Sequence, residues 1–167
     1  EGVFHRLLVS RPVFPLGKDI GFLPGDIEEK LNPWMQPIYD NIELLLGLSK
    51  NDKKDGRSYH ELIDLGYIEI EPLTYIRVRS IPNQFMIVDE AQNLTPHEVK
   101  TIASRVGEGT KLVLTGDIGQ IDNPYLDSSS NGLSYAVERM KGVRLFGHVT
   151  LSKSERSELA SIAAARL

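Results

Sequence analysis

Phe85-Met86-Ile87-Val88-Asp89-Glu90 runs four apolar residues without a break into two acids. A short continuous apolar run, rather than an alternating one, suits a strand covered on both faces, as in a parallel sheet. Lys111-Leu112-Val113-Leu114-Thr115 repeats the design and runs into Gly116-Asp117. Between them, Thr95-Pro96-His97-Glu98 has the form of a capping box with proline in the first turn, which predicts a helix stopped by Gly107. Upstream, Leu7-Leu8-Val9 forms a third apolar run ending at Arg11, because Pro12 biases its neighbour away from helix.

Apolar strands alternating with amphipathic helices predict an α/β protein with a mostly parallel sheet covered on both faces. In such sheets functional residues gather at the carboxyl ends of the strands. Here those ends carry Arg11, Asp89-Glu90 and Gly116-Asp117, three polar clusters expected at one edge.

The remaining segments are read by the same rules. Asp26 is placed to cap a short helix through Lys30, and Pro33 to begin a second one, with Trp34, Ile38, Ile42 and Leu45 at helical spacing and Gly47 as its stop. Val13–Pro24 and Ser49–Arg57 read as loops. Tyr59–Leu65 predicts a short helix ended by Gly66, and Tyr67–Ile70 and Thr74–Val78 predict strands. A helix is expected over Leu133–Met140, a last strand over Phe146–Leu151, and a final helix opened by a Ser152/Glu155 capping box. The 167 residues are expected to form a single domain.

Composition excludes several classes. Hydrophobic residues make up 41% and charged residues 25%, which is ordinary globular usage. With no cysteine there is no disulfide, thiolate metal site or Cys nucleophile. No apolar run reaches the roughly 18 residues of a membrane helix, and Glu1–Pro12 lacks the long apolar stretch of a signal peptide, so a cytoplasmic protein is expected. The formal net charge is −4, but it is unevenly spread: Phe85–Glu138 holds eight acids and three bases, and Arg139–Leu167 six bases and two acids. That asymmetry suits a site with a cation near one end and an anion near the other. His5, His60, His97 and His148 lack metal-ligand spacing, and Ser128-Ser129-Ser130 lacks the G-x-S-x-G elbow of a serine hydrolase. Trp34 reads as a core residue rather than a base-stacking one.

An acid at the end of a buried strand can hold the hydration shell of Mg²⁺, which keeps several waters and takes few protein ligands. A second acid beside it can orient or deprotonate an attacking water. Asp89 and Glu90 fit those two roles, the Walker B arrangement. Gln120, on the loop after the second strand, is an amide that can orient water at a terminal phosphate. Arg156, in Lys153-Ser154-Glu155-Arg156, can stabilise phosphoryl charge. The phosphate-cradling pattern G-x-x-x-x-G-K-[ST] is absent: Gly17-Lys18 is followed by Asp19, and Pro12 stands in place of the first glycine. The phosphate-binding strand, loop and helix are therefore expected upstream of Glu1.

The stretches SRPVFPLGKDIGFLPGDIEEKLNPWMQPIYDN, LTYIRVRSIPNQFMIVDEAQNLTPHEVKTI, LTGDIGQIDNPYLDSSSNGLSYAVER and VTLSKSERSELA resemble the ATPase domain of PhoH-family proteins. These are relatives of the superfamily-one helicases on a RecA-like P-loop NTPase fold. The ending resembles the branch in which a PIN-type ribonuclease domain precedes the PhoH domain. The resemblance implies an ATP- and Mg²⁺-dependent ATPase coupled to RNA binding or unwinding and assembling as a homo-oligomeric ring. It makes Asp89 and Glu90 Walker B, with Gln92 completing a helicase-like DEAQ, and assigns Gly116, Asp117 and Gln120 to γ-phosphate sensing. Arg156 corresponds to an arginine finger. Arg11, Tyr75, Arg77 and Arg79 correspond to RNA or subunit contacts. The sensing loop reads GDIGQ where the family pattern is GDPxQ, and loss of the proline predicts a looser loop. The other reading open at this stage is a non-catalytic RNA-binding or ring-assembly fragment.

Overall fold

Arg6–Arg11 (β1), Ile68–Pro72 (β2), Gln84–Val88 (β3) and Lys111–Leu114 (β4) form one sheet in the order β2-β1-β3-β4, with every neighbouring pair parallel. The structure is a computed structural model that describes residues 2–13, 27–47, 59–76, 78–151, 159, 162 and 166. The expected loops at Val13–Pro24 (beyond Val13) and Ser49–Arg57, the Asp26 cap and the Ser152/Glu155 capping box lie outside the described residues. The chain packs as two units, Glu1–Ala136 and Val137–Leu167.

In the first unit the pleat of β1 sends successive side chains to opposite faces. Val9, with Leu7, Ile70 and Ile87, packs against Met35, Ile38, Tyr39 and Ile42 of a helix over Ile27–Gly47 (α1). Leu8, Met86 and Val88 look the other way, onto Val99 and Ile102 of the helix Pro96–Ala103 (α4) and onto Leu94, Leu73, Ile76 and Ile81. Leu133 and Ala136, from the helix Gly132–Met140 (α5), join that second core. Burying a Leu, Met or Ile side chain contributes about 2 kcal/mol, so both layers have a strong reason to form. The layered α/β architecture and the parallel sheet are as the apolar runs predict.

The register has a consequence for function. The connection after β1 leads to α1 on one face, and that after β3 leads to α4 on the other. The junction of β1 and β3 therefore lies between strands whose following helices cover opposite faces, the kind of switch point where open α/β sheets bind ligands.

Four expectations are corrected. α1 is one helix running through Pro33 and Pro37. Each proline removes one intrahelical hydrogen bond, and both are exposed, while Met35 and Ile38 are buried. The same helix leaves Leu45 exposed, so its apolar stripe ends at Ile42. Thr74–Val78 is not a strand: Leu73–Ile76 forms a helical turn (α3) that buries Leu73 and Ile76 three residues apart, and this packing overrides β propensity. α4 ends at Ala103, four residues before Gly107. Gly107 instead donates its N–H to Ile81 O at 2.8 Å, where a Cβ would meet Pro82 Cα at 3.0 Å. Tyr59–Asp64 (α2) is the expected short helix, followed by Gly66 at φ +73°.

The second unit corrects the fourth expectation. Phe146–Leu151 forms no strand among the described residues, and Val149 and Leu151 are exposed. A strand-forming stretch without a neighbouring strand to take up its backbone groups does not hold as a strand. In this unit Lys141 pairs with Glu138 at 2.5 Å, and Leu159, Ile162 and Arg166 are helical.

Candidate functional site

The carboxyl ends of β1, β3 and β4 meet at one rim. Asp89 N–H donates to Ser10 O at 2.8 Å, Thr115 N–H to Val88 O at 3.0 Å, and Ala91 N–H to Thr115 O at 2.9 Å. These backbone bonds extend the sheet past its last residues and bring Arg11, Asp89, Glu90 and Thr115 side by side.

Side chains then tie the rim together. Thr115 Oγ1 donates to Asp89 Oδ1 at 2.8 Å, which fixes the rotation of that carboxylate. Glu90 is left-handed, with φ 55° and ψ 36°, a conformation uncommon for a residue with a long side chain. Its Oε1 lies 3.3 Å from Arg11 Nη2, and its Oε2 accepts from Gln92 Nε2 at 2.6 Å. Gln92 sits in the 3₁₀ turn Ala91–Asn93 and is 0% exposed. Its Nε2 also donates to Gln120 O at 2.9 Å, and its Oε1 accepts from Asp117 N–H at 3.2 Å. One buried amide thus joins Glu90 to the loop after β4.

That loop approaches closely because of Gly116. A Cβ there would stand 2.3 Å from Gln92 Oε1, 3.1 Å from Gln92 N and 3.0 Å from Leu133 Cδ2. Asp117 organises the rest. Its Oδ1 accepts from Gly119 N–H at 2.9 Å, its Oδ2 from Gln120 Nε2 at 2.6 Å, and its carbonyl from Gln120 N–H at 2.9 Å. In this loop, which lacks the proline of the family pattern, Asp117 and Gln92 supply the hydrogen bonds. Beyond it, Asn93 Oδ1 accepts from Asp122 and Asn123 N–H at 2.7 and 3.2 Å.

Among the described residues no group of three or more His, Asp or Glu side chains stands ready to cage a metal ion. A single carboxylate at a strand tip, Asp89, instead suits a cation that keeps most of its water, as Mg²⁺ does.

Residues 1–164 match the family described as PhoH-like protein. The chain belongs to that family. It is 60% identical over 163 residues to Protein PhoH2 of Bacillus subtilis, covering 98% of this chain and 36% of that protein. It is 40% identical over 159 residues to Protein PhoH2 of Mycolicibacterium smegmatis, covering 95% and 34%. With Protein PhoH of Escherichia coli K12 it shares 38% identity over 159 residues, covering 93% and 43%. The chain thus spans between about a third and just over two fifths of the length of these relatives.

Within this PhoH-family domain, Arg11, Asp89, Glu90, Gln92, Gly116, Asp117 and Gln120 are brought together. Tyr75 and Arg79 are not part of the cluster. Tyr75 is exposed on α3, and Arg79 Nη1 reaches Glu69 Oε1 at 2.5 Å and Glu71 Oε2 at 2.8 Å on β2. Arg6 also contacts Glu69. Burial alone would raise the Glu69 carboxyl, but the hydrogen bonds from Arg79, Glu71 and Arg6 outweigh it and hold Glu69 at about 2. Glu71 moves the other way, pushed up by burial and by its neighbour Glu69. Arg77 and Arg156 lie outside the described residues.

Three residues of the rim escape sequence reasoning. Thr115 reads as the last residue of a strand, yet it orients Asp89. Asn93 is given no role by the sequence, yet its amide staples Asp122 and Asn123. Ser10 is fully buried at the tip of β1, and its hydroxyl meets no hydrogen-bond partner among the described residues. The one signal for Ser10 was a polar residue at the core-facing position two after Leu8.

Proposed function

We propose that this PhoH-family chain forms the core of an Mg²⁺-dependent ATPase domain, coupled in the full-length protein to RNA binding or unwinding. The observation that carries the reading is the Gln92 amide, which links the acid after β3 to the loop after β4. A water-activating group and a phosphate-sensing loop have to act on the same phosphate, and a shared buried strut holds them in register.

In this reading Asp89, oriented by Thr115, holds Mg²⁺ through water, and the ion supplies charge neutralisation for the phosphates when bound. Glu90 accepts the proton of a water that attacks the terminal phosphorus. The new P–O bond forms as the bond to the bridging oxygen breaks, and the leaving diphosphate carries the electron pair. Gln120 orients the water, Gly116 and Asp117 position the sensing loop, and Arg156 stabilises the charge that develops. Coupling to RNA is supported by the family resemblance and the basic segment Arg139–Leu167. Arg11 and Arg79 already have acid partners, so the RNA contact in this proposal falls to exposed Tyr75, to Arg77 and to the basic segment. Assembly into a homo-oligomeric ring, a PIN-type ribonuclease domain in the parent chain and a cytoplasmic location belong to the same proposal. No helix among the described residues is long and apolar enough to cross a membrane.

The test is Mg²⁺-ATP hydrolysis by the full-length protein, with and without RNA. Glu90→Gln should lower turnover by roughly 10²–10⁴-fold and leave nucleotide binding in place. Unchanged turnover in that variant removes Glu90 from the role of base. The second reading is a non-catalytic RNA-binding or ring-assembly module. A full-length protein that binds RNA and hydrolyses no ATP would establish it.

A further inference from the structure

We propose that Arg11 is a positioning residue for Glu90, and that its charge serves the site rather than a nucleic acid. Glu90 is gripped from two sides by groups remote in sequence. Arg11 Nη2 stands 3.3 Å from Oε1, and Gln92 Nε2 donates to Oε2 at 2.6 Å. The Arg11 side chain is 18% exposed, so its guanidinium is largely withdrawn from water and matched by the Glu90 carboxylate rather than offered to solvent. A glutamate side chain has three freely turning bonds. Held at one oxygen it still swings; held at both it has one place. The left-handed backbone of Glu90 costs on the order of 1 kcal/mol and persists where surroundings over-determine it. Arg11 and Gln92 are those surroundings on the side-chain end.

The placement suits the task. Arg11 ends β1 and Glu90 follows β3, so the pair spans the junction of two neighbouring strands whose following helices cover opposite faces of the sheet. A misplacement of about 1 Å at a reacting group costs on the order of 10²-fold in rate. A cation on the neighbouring strand, fixed by the sheet's own register, guards against such drift. Arg11 meets Glu90 through one nitrogen, so a cation held at that place is what the pair requires.

The kinetic part of the test rests on the ATPase reading, and a second part does not. In the full-length protein, Arg11→Ala should lower kcat by roughly 10–100-fold, with KM and nucleotide affinity within about twofold of wild type. Arg11→Lys should recover part of the loss. In a Glu90→Gln background, Arg11→Ala should add less than about twofold, because the group it positions no longer acts. A rise in KM at constant kcat, or the full loss persisting beside Glu90→Gln, overturns the proposal. Independently of turnover, amide hydrogen exchange across residues 89–93 should quicken severalfold in Arg11→Ala without nucleotide, and no further in Arg11→Ala/Glu90→Ala. Unchanged exchange in Arg11→Ala overturns the proposal even if hydrolysis is lost. If Glu90→Gln keeps normal turnover, Glu90 is not the base, and the exchange measurement still decides whether Arg11 holds Glu90.

Discussion

β3 has a left-handed residue near each end, Asn83 at φ 53° and Glu90 at φ 55°, and the two ends are made of different materials. At the amino end the turn is backbone chemistry. Asn83 donates to Glu108 O and accepts from His5 N–H, each at 2.9 Å, while Thr110 Oγ1 donates to Ile81 O at 2.7 Å. Asparagine is among the few residues that visit this conformation readily. At the carboxyl end a glutamate takes the same conformation, held by an arginine, a buried glutamine and a glycine-opened loop. One end uses the residue that folding prefers; the other uses a residue that needs outside support. That difference is the one expected where chemistry, not folding alone, selects side chains, and it supports the proposed site.

The comparison is broken most severely if Glu90→Gln leaves hydrolysis by the full-length protein intact, against the expected loss of two to four orders of magnitude. Next come two glycines, one at each end. Gly116→Ala drives a methyl into Gln92, which is buried and cannot step aside, so a stability loss of about 1–3 kcal/mol is expected together with slowed turnover. Gly109→Ala, at φ +73° and 2.3 Å from Asn83 Oδ1, pushes on an exposed side chain that can turn away. Its cost should be nearer 1 kcal/mol, from the left-handed backbone, with kcat as in wild type. Thermal unfolding of both variants beside their turnover measures this; equal loss of activity from both would erase the distinction between the two ends.

The smallest effect concerns charge used for holding. Glu69 sits at about 2, below its ordinary 4.5, so its contribution is present at neutral pH and is lost as pH falls from about 5 towards 2. Glu71 is raised, so its contribution has the opposite sign and is lost as pH rises through its folded value. Glu71→Gln should therefore stabilise the protein at pH 7 relative to pH 4, by less than about 1 kcal/mol for so accessible a pair. Unfolding midpoints at the two pH values decide it, and a variant less stable at pH 7 would show that Glu71 serves Arg79 more than it burdens Glu69.

Much of the fold was legible because its signals are local. The apolar runs of β3 and β4 and the capping box, in which Thr95 and Glu98 exchange hydrogen bonds, lie within a few residues of one another. The misreadings at Thr74–Val78 and Phe146–Leu151 came where β propensity has no neighbouring strand to act on. The candidate site divides similarly. Asp89, Glu90, Gly116 and Asp117 are visible as polar residues directly after apolar strands. What Arg11, Thr115 and Asn93 touch is not visible, because each partner lies a strand or more away in sequence and is delivered by the parallel register.

The sheet order leaves β4 with a hydrogen-bonded neighbour on its β3 side alone among the described residues, although Leu112, Val113 and Leu114 make it as apolar as an inner strand. Any segment that continued the sheet beyond β4 in the common direction would deliver its own outgoing loop beside Asp117 and Gln120. One running the other way would deliver its incoming loop. Among the described residues the rim ends at that loop, and whatever joins the sheet there becomes the neighbour of the loop that Gln92 secures.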